Sequence, residues 1–172
     1  METKLLVPFH SQYEISNREW NTRSCGMASL AMVIEFLGSP RVDLFSLVEE
    51  GREKGGYQLN IGWKHDYFLQ KAKEEGFVGV REEKMNIEEG VLKLQSALEK
   101  GVAPIVSGRK RFFGEERASH LVVLTGFGGE GKDFYFLYHD PEMLDEHRGA
   151  YRKVSLSDFK NDWRKMAIFL SK

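Results

Sequence analysis

The spacing of apolar positions changes near the middle of this 172-residue chain. Before about residue 100 they recur every three or four residues. Beyond it they gather into short β-branched or aromatic runs. The first helical pattern starts at Cys25: Leu30, Val33, Ile34 and Leu37 share one face, and Gly38, Ser39 and Pro40 end the run. A second helix is predicted over 43–54, with Leu44, Leu47 and Val48 inward and Gly55-Gly56 closing it. A third runs from near Gly62 to Gly76, with Tyr67, Phe68 and Ala72 as its apolar stripe. Residues 86–100 read as a fourth: Asn86 can cap it, Glu88 and Glu89 suit its first turn, and Gly101 stops it.

Strands are predicted over 102–107, 119–127 and 133–139, the last two joined by a hairpin through Gly128-Gly129-Glu130-Gly131-Lys132. Shorter strands fit 4–10, where Pro8 argues for an edge or terminal position, and also 77–80, 150–154 and 166–170. A short helix starts at Ser155-Leu156-Ser157-Asp158 and ends near Trp163. Helices thus fill the first half and strands the second, an α+β chain with segregated halves. Its length, with no repeat, low-complexity tract or linker, fits one domain over 1–172.

Composition narrows the functions open to such a chain. A net charge of −1 gives no electrostatic reason to expect nucleic acid or an anionic membrane as partner. No apolar run approaches a membrane span, and residues 1–12 are too short and weakly charged for a signal peptide. With a single cysteine no internal disulfide can form, which fits a reducing compartment and a cytoplasmic location.

That cysteine is the most informative residue. In Ser24-Cys25-Gly26-Met27-Ala28-Ser29 it opens the first helix, where unpaired backbone N–H groups and the helix dipole favour a thiolate. A thiol nucleophile also needs a base, a group that orients the base, and donors for the developing oxyanion. His120 opens the apolar strand Ser119-His120-Leu121-Val122-Val123-Leu124, and Asp140 ends the next. Counting back from the hairpin turn places the two near one rim. Gln12, after the entry strand, can supply an oxyanion donor beside the Cys25 N–H.

The order Gln12, Cys25, His120, Asp140 resembles papain-like cysteine peptidases. The segments Val7-Pro8-Phe9-His10-Ser11-Gln12, Cys25-Gly26-Met27-Ala28-Ser29-Leu30-Ala31-Met32-Val33, Ser119-His120-Leu121-Val122-Val123-Leu124-Thr125-Gly126-Phe127 and Asp140-Pro141 are most similar to the bacteriocin-processing group, cysteine-peptidase family 39, and its stand-alone relatives. The resemblance covers roughly residues 5–163. It implies a papain-like α+β fold with the nucleophile on a helix and the base on a facing sheet. By position it makes Cys25 nucleophile, His120 general base, Asp140 orienting acid and Gln12 oxyanion donor, acting on a peptide or protein substrate. Two departures stand out: Met27 replaces the proline usual in these relatives, and no transporter segment follows.

Each residue also has a plainer reading: a buried structural thiol, a strand-end histidine, a turn-starting aspartate, a polar residue after a strand. The joint order favours chemistry over these. No cofactor is implied. A metal site built from His10, His120, His139 and Asp140 is disfavoured, because no pair has the H-x-x-x-H spacing and His139 should face away from Asp140. His65 and His147 read as solvated, the 108–114 loop as a solvated connection, and Trp20 and Trp63 as core or rim packing. Besides hydrolysis, the pattern leaves open a thiol acyltransferase on the same fold and a catalytically inactive binding domain.

Overall fold

The computed structural model describes residues 2–109 and 119–172, Ser119 by its backbone alone. The 108–114 loop therefore lies largely outside the described residues. In chain order the elements are β1 (Thr3–Lys4), α1 (Arg18–Asn21), α2 (Cys25–Phe36), α3 (Leu44–Glu53), β2 (Tyr57–Gln58), β3 (Gly62–Trp63), α4 (His65–Glu74), β4 (Val78–Glu82) and α5 (Ile87–Glu99). The second half adds β5 (Ile105–Arg109), β6 (Ser119–Gly128), β7 (Tyr135–His139), α6 (Glu146–Gly149), β8 (Arg152–Ser155), α7 (Leu156–Asp162) and β9 (Trp163–Ser171).

One antiparallel sheet organises the molecule, in the order β4-β9-β5-β6-β7-β8, with β1 pairing the later part of β6. Period-2 alternation divides its side chains between two cores. Ile105, Leu121, Val123, Met166, Ile168 and Leu170 join one core with α2, α3 and α4. Val106, Val122, Leu124 and Ala167 join the other, with Phe159 of α7 and Val91, Leu94 and Leu98 of α5. Because both faces are covered, the strands read in sequence as nearly continuous apolar runs. The N-terminal helices pack on the antiparallel sheet as expected, and α5 and α7 roof its opposite face.

Side-chain caps set several helix starts. Asp43 accepts from the Ser46 N–H, Asn86 from Glu89 and Ser155 from Asp158, each contributing about 1 kcal/mol. Three expectations need adjustment. α2 is not one-sided: Gly26 through Ile34 are all buried, since α3 and the turn at Gln12–Glu14 pack on it as well as β6. The third helix starts at His65 because Gly62-Trp63 pair with Tyr57-Gln58 in a small hairpin, its turn formed at Asn60 (φ 68°) and Gly62 (φ 107°). The entry strand shortens to Thr3–Lys4. Beyond Leu5 the chain exchanges ladder bonds for side-chain ties, with Pro8 unable to donate.

Candidate active site

Cys25 is the first residue of α2, and its helix start is unusual in having no side-chain cap. The Ser24 hydroxyl is turned instead to the Trp20 carbonyl at 2.6 Å. The N–H groups of the first turn are therefore left without a protein oxygen from the cap position, where an anion is favoured. Gly26 is required by packing: a Cβ there would lie 2.9 Å from Phe68 Cζ and 3.1 Å from Leu121 Cδ1. This close approach brings the head of α2 against the start of β6. Ser29 adds a bond from its hydroxyl to the Leu121 carbonyl at 3.4 Å.

His120 enters β6 next to that contact and is buried. Its Nε2–H donates to Asp140 Oδ1 at 2.7 Å, which leaves Nδ1 as the ring's other nitrogen, and Cys25 and His120 lie close enough to influence each other's ionisation. Burial alone would favour a neutral imidazole, yet the bonds and charges of Asp140 and Cys25 outweigh it and raise the His120 pKa to about 10. For Cys25, burial pushes the thiol up, while His120 and the Leu121 N–H push it further down, leaving it below its ordinary value. The pair is thus biased toward thiolate and imidazolium.

Asp140 is fully buried just past β7. Burial raises its pKa, but the His120 bond and the Glu142 N–H at 2.9 Å hold it below the usual carboxylate range. A bulge between Leu124 and Gly126 shifts the β6–β7 register, with Val123 opposite His139, and the Asp140 carboxylate meets the His120 ring across the rim.

Gln12 reaches the same rim through backbone ties. Its N–H donates to the Pro141 carbonyl at 2.8 Å, the Ser11 hydroxyl to the Met143 carbonyl at 2.6 Å, and His139 Nε2–H to the Val7 carbonyl at 2.8 Å. The Gln12 side chain is buried and donates one Nε2–H to the Asn21 carbonyl at 2.8 Å. That acceptor settles which end of the amide is nitrogen. The Gln12 Oε1 is buried without a hydrogen-bond partner.

The other histidines divide differently from expectation. His10 is buried between Glu14 and Glu35. Burial lowers its pKa, but the two carboxylates together raise it above the ordinary value. His139 uses both ring nitrogens as a neutral imidazole, Nε2–H toward Val7 and Nδ1 accepting from the Tyr151 N–H at 3.1 Å. Burial dominates and lowers its pKa to about 4. His65 is half-buried on Phe68 rather than solvated, and burial lowers its pKa too. His147 is exposed. Among the described residues, His120, Asp140 and Glu142 offer ligand atoms within 4.8 Å of one another and could hold a cation.

A cavity of about 360 Å³ is lined in part by Cys25. Cys25, Gly26 and Leu121 form one side, and the β2–β3 hairpin forms the other with Tyr57, Ile61 and Trp63. Sequence reasoning did not find this hairpin. The hint was two large apolar residues, Leu59 and Ile61, inside the otherwise polar and glycine-rich stretch 55–62. Trp63 is both rim and packing: its indole N–H donates to the Arg23 carbonyl at 2.8 Å, and its ring meets Trp20, Tyr57 and Tyr67.

Among solved structures, the chain is similar to a double glycine motif protease from an AMS/PCAT transporter in complex with its leader peptide. The identity is 20%, the TM-score 0.62, and the match covers 99% of this chain and 95% of that one. It is also similar to the peptidase domain of Streptococcus ComA, described as a bi-functional ABC transporter involved in a quorum sensing pathway, at 24% identity and TM-score 0.61, covering 87% and 92%. UfSP from C. elegans matches at 11% identity and TM-score 0.59, over 98% of this chain and 33% of that protein. These likenesses establish a shared papain-like α+β fold. No curated protein matches the chain in sequence. The Peptidase_C39 like family model matches residues 4–168, and the chain belongs to that family.

Proposed function

We propose that this protein is a cysteine peptidase that cleaves peptide or isopeptide bonds through a thioester acyl-enzyme. The observation that carries the reading is the thiol at an uncapped helix start, electrostatically coupled to an imidazole that is itself held by a buried carboxylate. In this mechanism the Cys25 thiolate attacks the carbonyl carbon. The oxyanion is met by the Cys25 N–H and the second Nε2–H of Gln12. The His120 imidazolium gives its proton to the leaving amine as the C–N bond breaks and the thioester remains. A water then loses its proton to His120, attacks the thioester and releases the acid and the thiolate. Asp140 holds the ring and stabilises its charge throughout. A reactive thiolate of this kind suits a reducing compartment such as the cytoplasm.

The solved relatives make a leader-type peptide with paired glycines the first substrate to try, alongside a mixed peptide pool. Mass spectrometry should find hydrolysed products with the wild type and none with Cys25→Ser. Products carrying an added primary amine in place of water would reassign the protein to acyl transfer. Peptide binding without any product would make it a binding domain, and the hydrolytic reading would fail.

A further inference from the structure

Behind Gln12 lies a buried charge cluster that the proposed reaction leaves without a task. His10 is 0% exposed, yet both of its ring nitrogens face carboxylates: Nδ1 meets Glu14 Oε2 at 2.9 Å, and Nε2 meets Glu35 Oε2. A neutral imidazole has one N–H and one bare lone pair, so one carboxylate would face that lone pair. Only the imidazolium, with two N–H groups, satisfies both at once. Burial lowers the His10 pKa, but Glu14 and Glu35 raise it above the ordinary value, in keeping with that geometry. Arg41 closes the cluster from outside, its guanidinium 3.1 Å from Glu14 Oε1 and 3.9 Å from Glu35 Oε1. Two cations thus balance two carboxylates, and of the two cations His10 is the buried one, since Arg41 is 64% exposed.

The place of this cluster in the chain points to its task. His10 and Glu14 bracket Gln12, and their bond closes an arc of chain with Gln12 at its middle. Glu35 belongs to α2, the helix that begins with Cys25. One ring therefore ties the Gln12 turn to itself and to the body of the helix that carries the thiol. On its other side Gln12 is held by its N–H on the Pro141 carbonyl and its side chain on the Asn21 carbonyl. Those two bonds fix it to the rim, and neither reaches α2.

We propose that His10 is a positioning residue, an imidazolium bridging Glu14 and Glu35 so that the Gln12 amide stands at a fixed distance from Cys25. The proposal rests on the peptidase reading for the use made of Gln12, whereas the bridge itself is a structural property. An oxyanion donor acts only within hydrogen-bond reach of the developing charge, and a displacement of about 1 Å can cost about a hundredfold in rate. Charge-assisted bonds on opposite sides of a rigid ring suit that purpose, because they are short and directional.

The test sets His10→Gln and Glu14→Ala beside Gln12→Ala in the full chain. His10→Gln puts one amide where the ring presented two opposed N–H groups. Glu14→Ala is the milder change, since Glu14 is half-exposed and the buried His10–Glu35 pair stays. Each should lower kcat at least about tenfold with KM changed less than about threefold. Glu14→Gln, whose amide oxygen can accept the same Nδ1–H, should restore kcat to within about threefold of wild type. In the Gln12→Ala background the His10 and Glu14 substitutions should lower kcat by less than about twofold, because the group they position is gone. Losses that multiply with that of Gln12→Ala, or a Glu14→Ala as fast as wild type, overturn the proposal while the peptidase reading stands. If nothing is cleaved, hydrogen exchange of the Gln12 side-chain amide, followed by NMR, decides. Exchange at least about tenfold faster in Glu14→Ala upholds the bridge without the catalysis, and unchanged exchange overturns it.

Discussion

Replacing His120 by alanine tests the electrostatics of the site at its centre. In the folded protein the imidazole pKa rises from 6.5 to about 10, a gain of roughly 5 kcal/mol for its charged form. Burial works against that gain, so the stabilisation must come from neighbours, Asp140 first and then Cys25. Coupling between two charges is reciprocal: what the thiolate gives the imidazolium, the imidazolium gives the thiolate. The share of the gain that belongs to Cys25 therefore biases the thiol toward thiolate at a given pH. His120→Ala removes this support and leaves burial and the Asp140 charge, which push the thiol up, opposed by the Leu121 N–H alone. The assay is the rate of alkylation by iodoacetamide from pH 5 to pH 10, with Cys25→Ser as the blank, since the chain has no other thiol. Wild-type rates should change by less than about threefold from pH 7 to pH 9, whereas those of His120→Ala should climb about tenfold per pH unit, the behaviour of a thiol titrating above that range. The rate at pH 7 alone is a blunt measure. A less basic thiolate is also a weaker nucleophile, with a Brønsted slope of about 0.4–0.5, so the two variants differ less in rate than in thiolate content. Superimposable profiles, or a wild type that titrates at the ordinary thiol value, would refute the thiolate–imidazolium pair.

Gln12→Ala should lower kcat by about a hundred- to a thousandfold with little change in KM, as expected for a donor used in the transition state; an unchanged kcat removes Gln12 from the oxyanion site. Gly26→Val forces a side chain into Phe68 and Leu121, and should cost about 1–3 kcal/mol, read as a Tm lower by roughly 2–12 °C. His139 has a folded pKa of about 4 against 6.5 unfolded, so the unfolded chain binds the extra proton between those values. Its contribution is therefore intact above pH 6.5 and lost as pH falls toward 4, by about 3 kcal/mol. Urea titrations at several pH values should show that loss, and His139→Gln should flatten it. An unchanged slope in the variant would assign acid sensitivity to other groups.

The chemistry-bearing residues were readable in sequence because each sits at a feature with a local signature. Cys25 follows a small-residue loop and opens a helical period, His120 opens a β-branched run, and Asp140 precedes a proline at a strand end. Local signatures also found the caps at Asp43, Asn86 and Ser155, since a cap needs only its own next turn. His65 was misread for the complementary reason: whether its imidazole is solvated depends on how it packs on Phe68 and Glu83.

What the sequence determined by itself is the candidate set of site residues, the α+β order of elements and their periods, because those follow from bonding and packing within a few residues. What only tertiary structure decided is how the groups face one another. The bulge before Gly126 sets the register that delivers Asp140 to His120. The Gln12–Pro141 bond carries the first segment to the last rim of the sheet. The β2–β3 hairpin turns a short polar stretch into the wall opposite Cys25. Each of these rests on contacts between residues far apart in the chain, whose free energy no local pattern encodes.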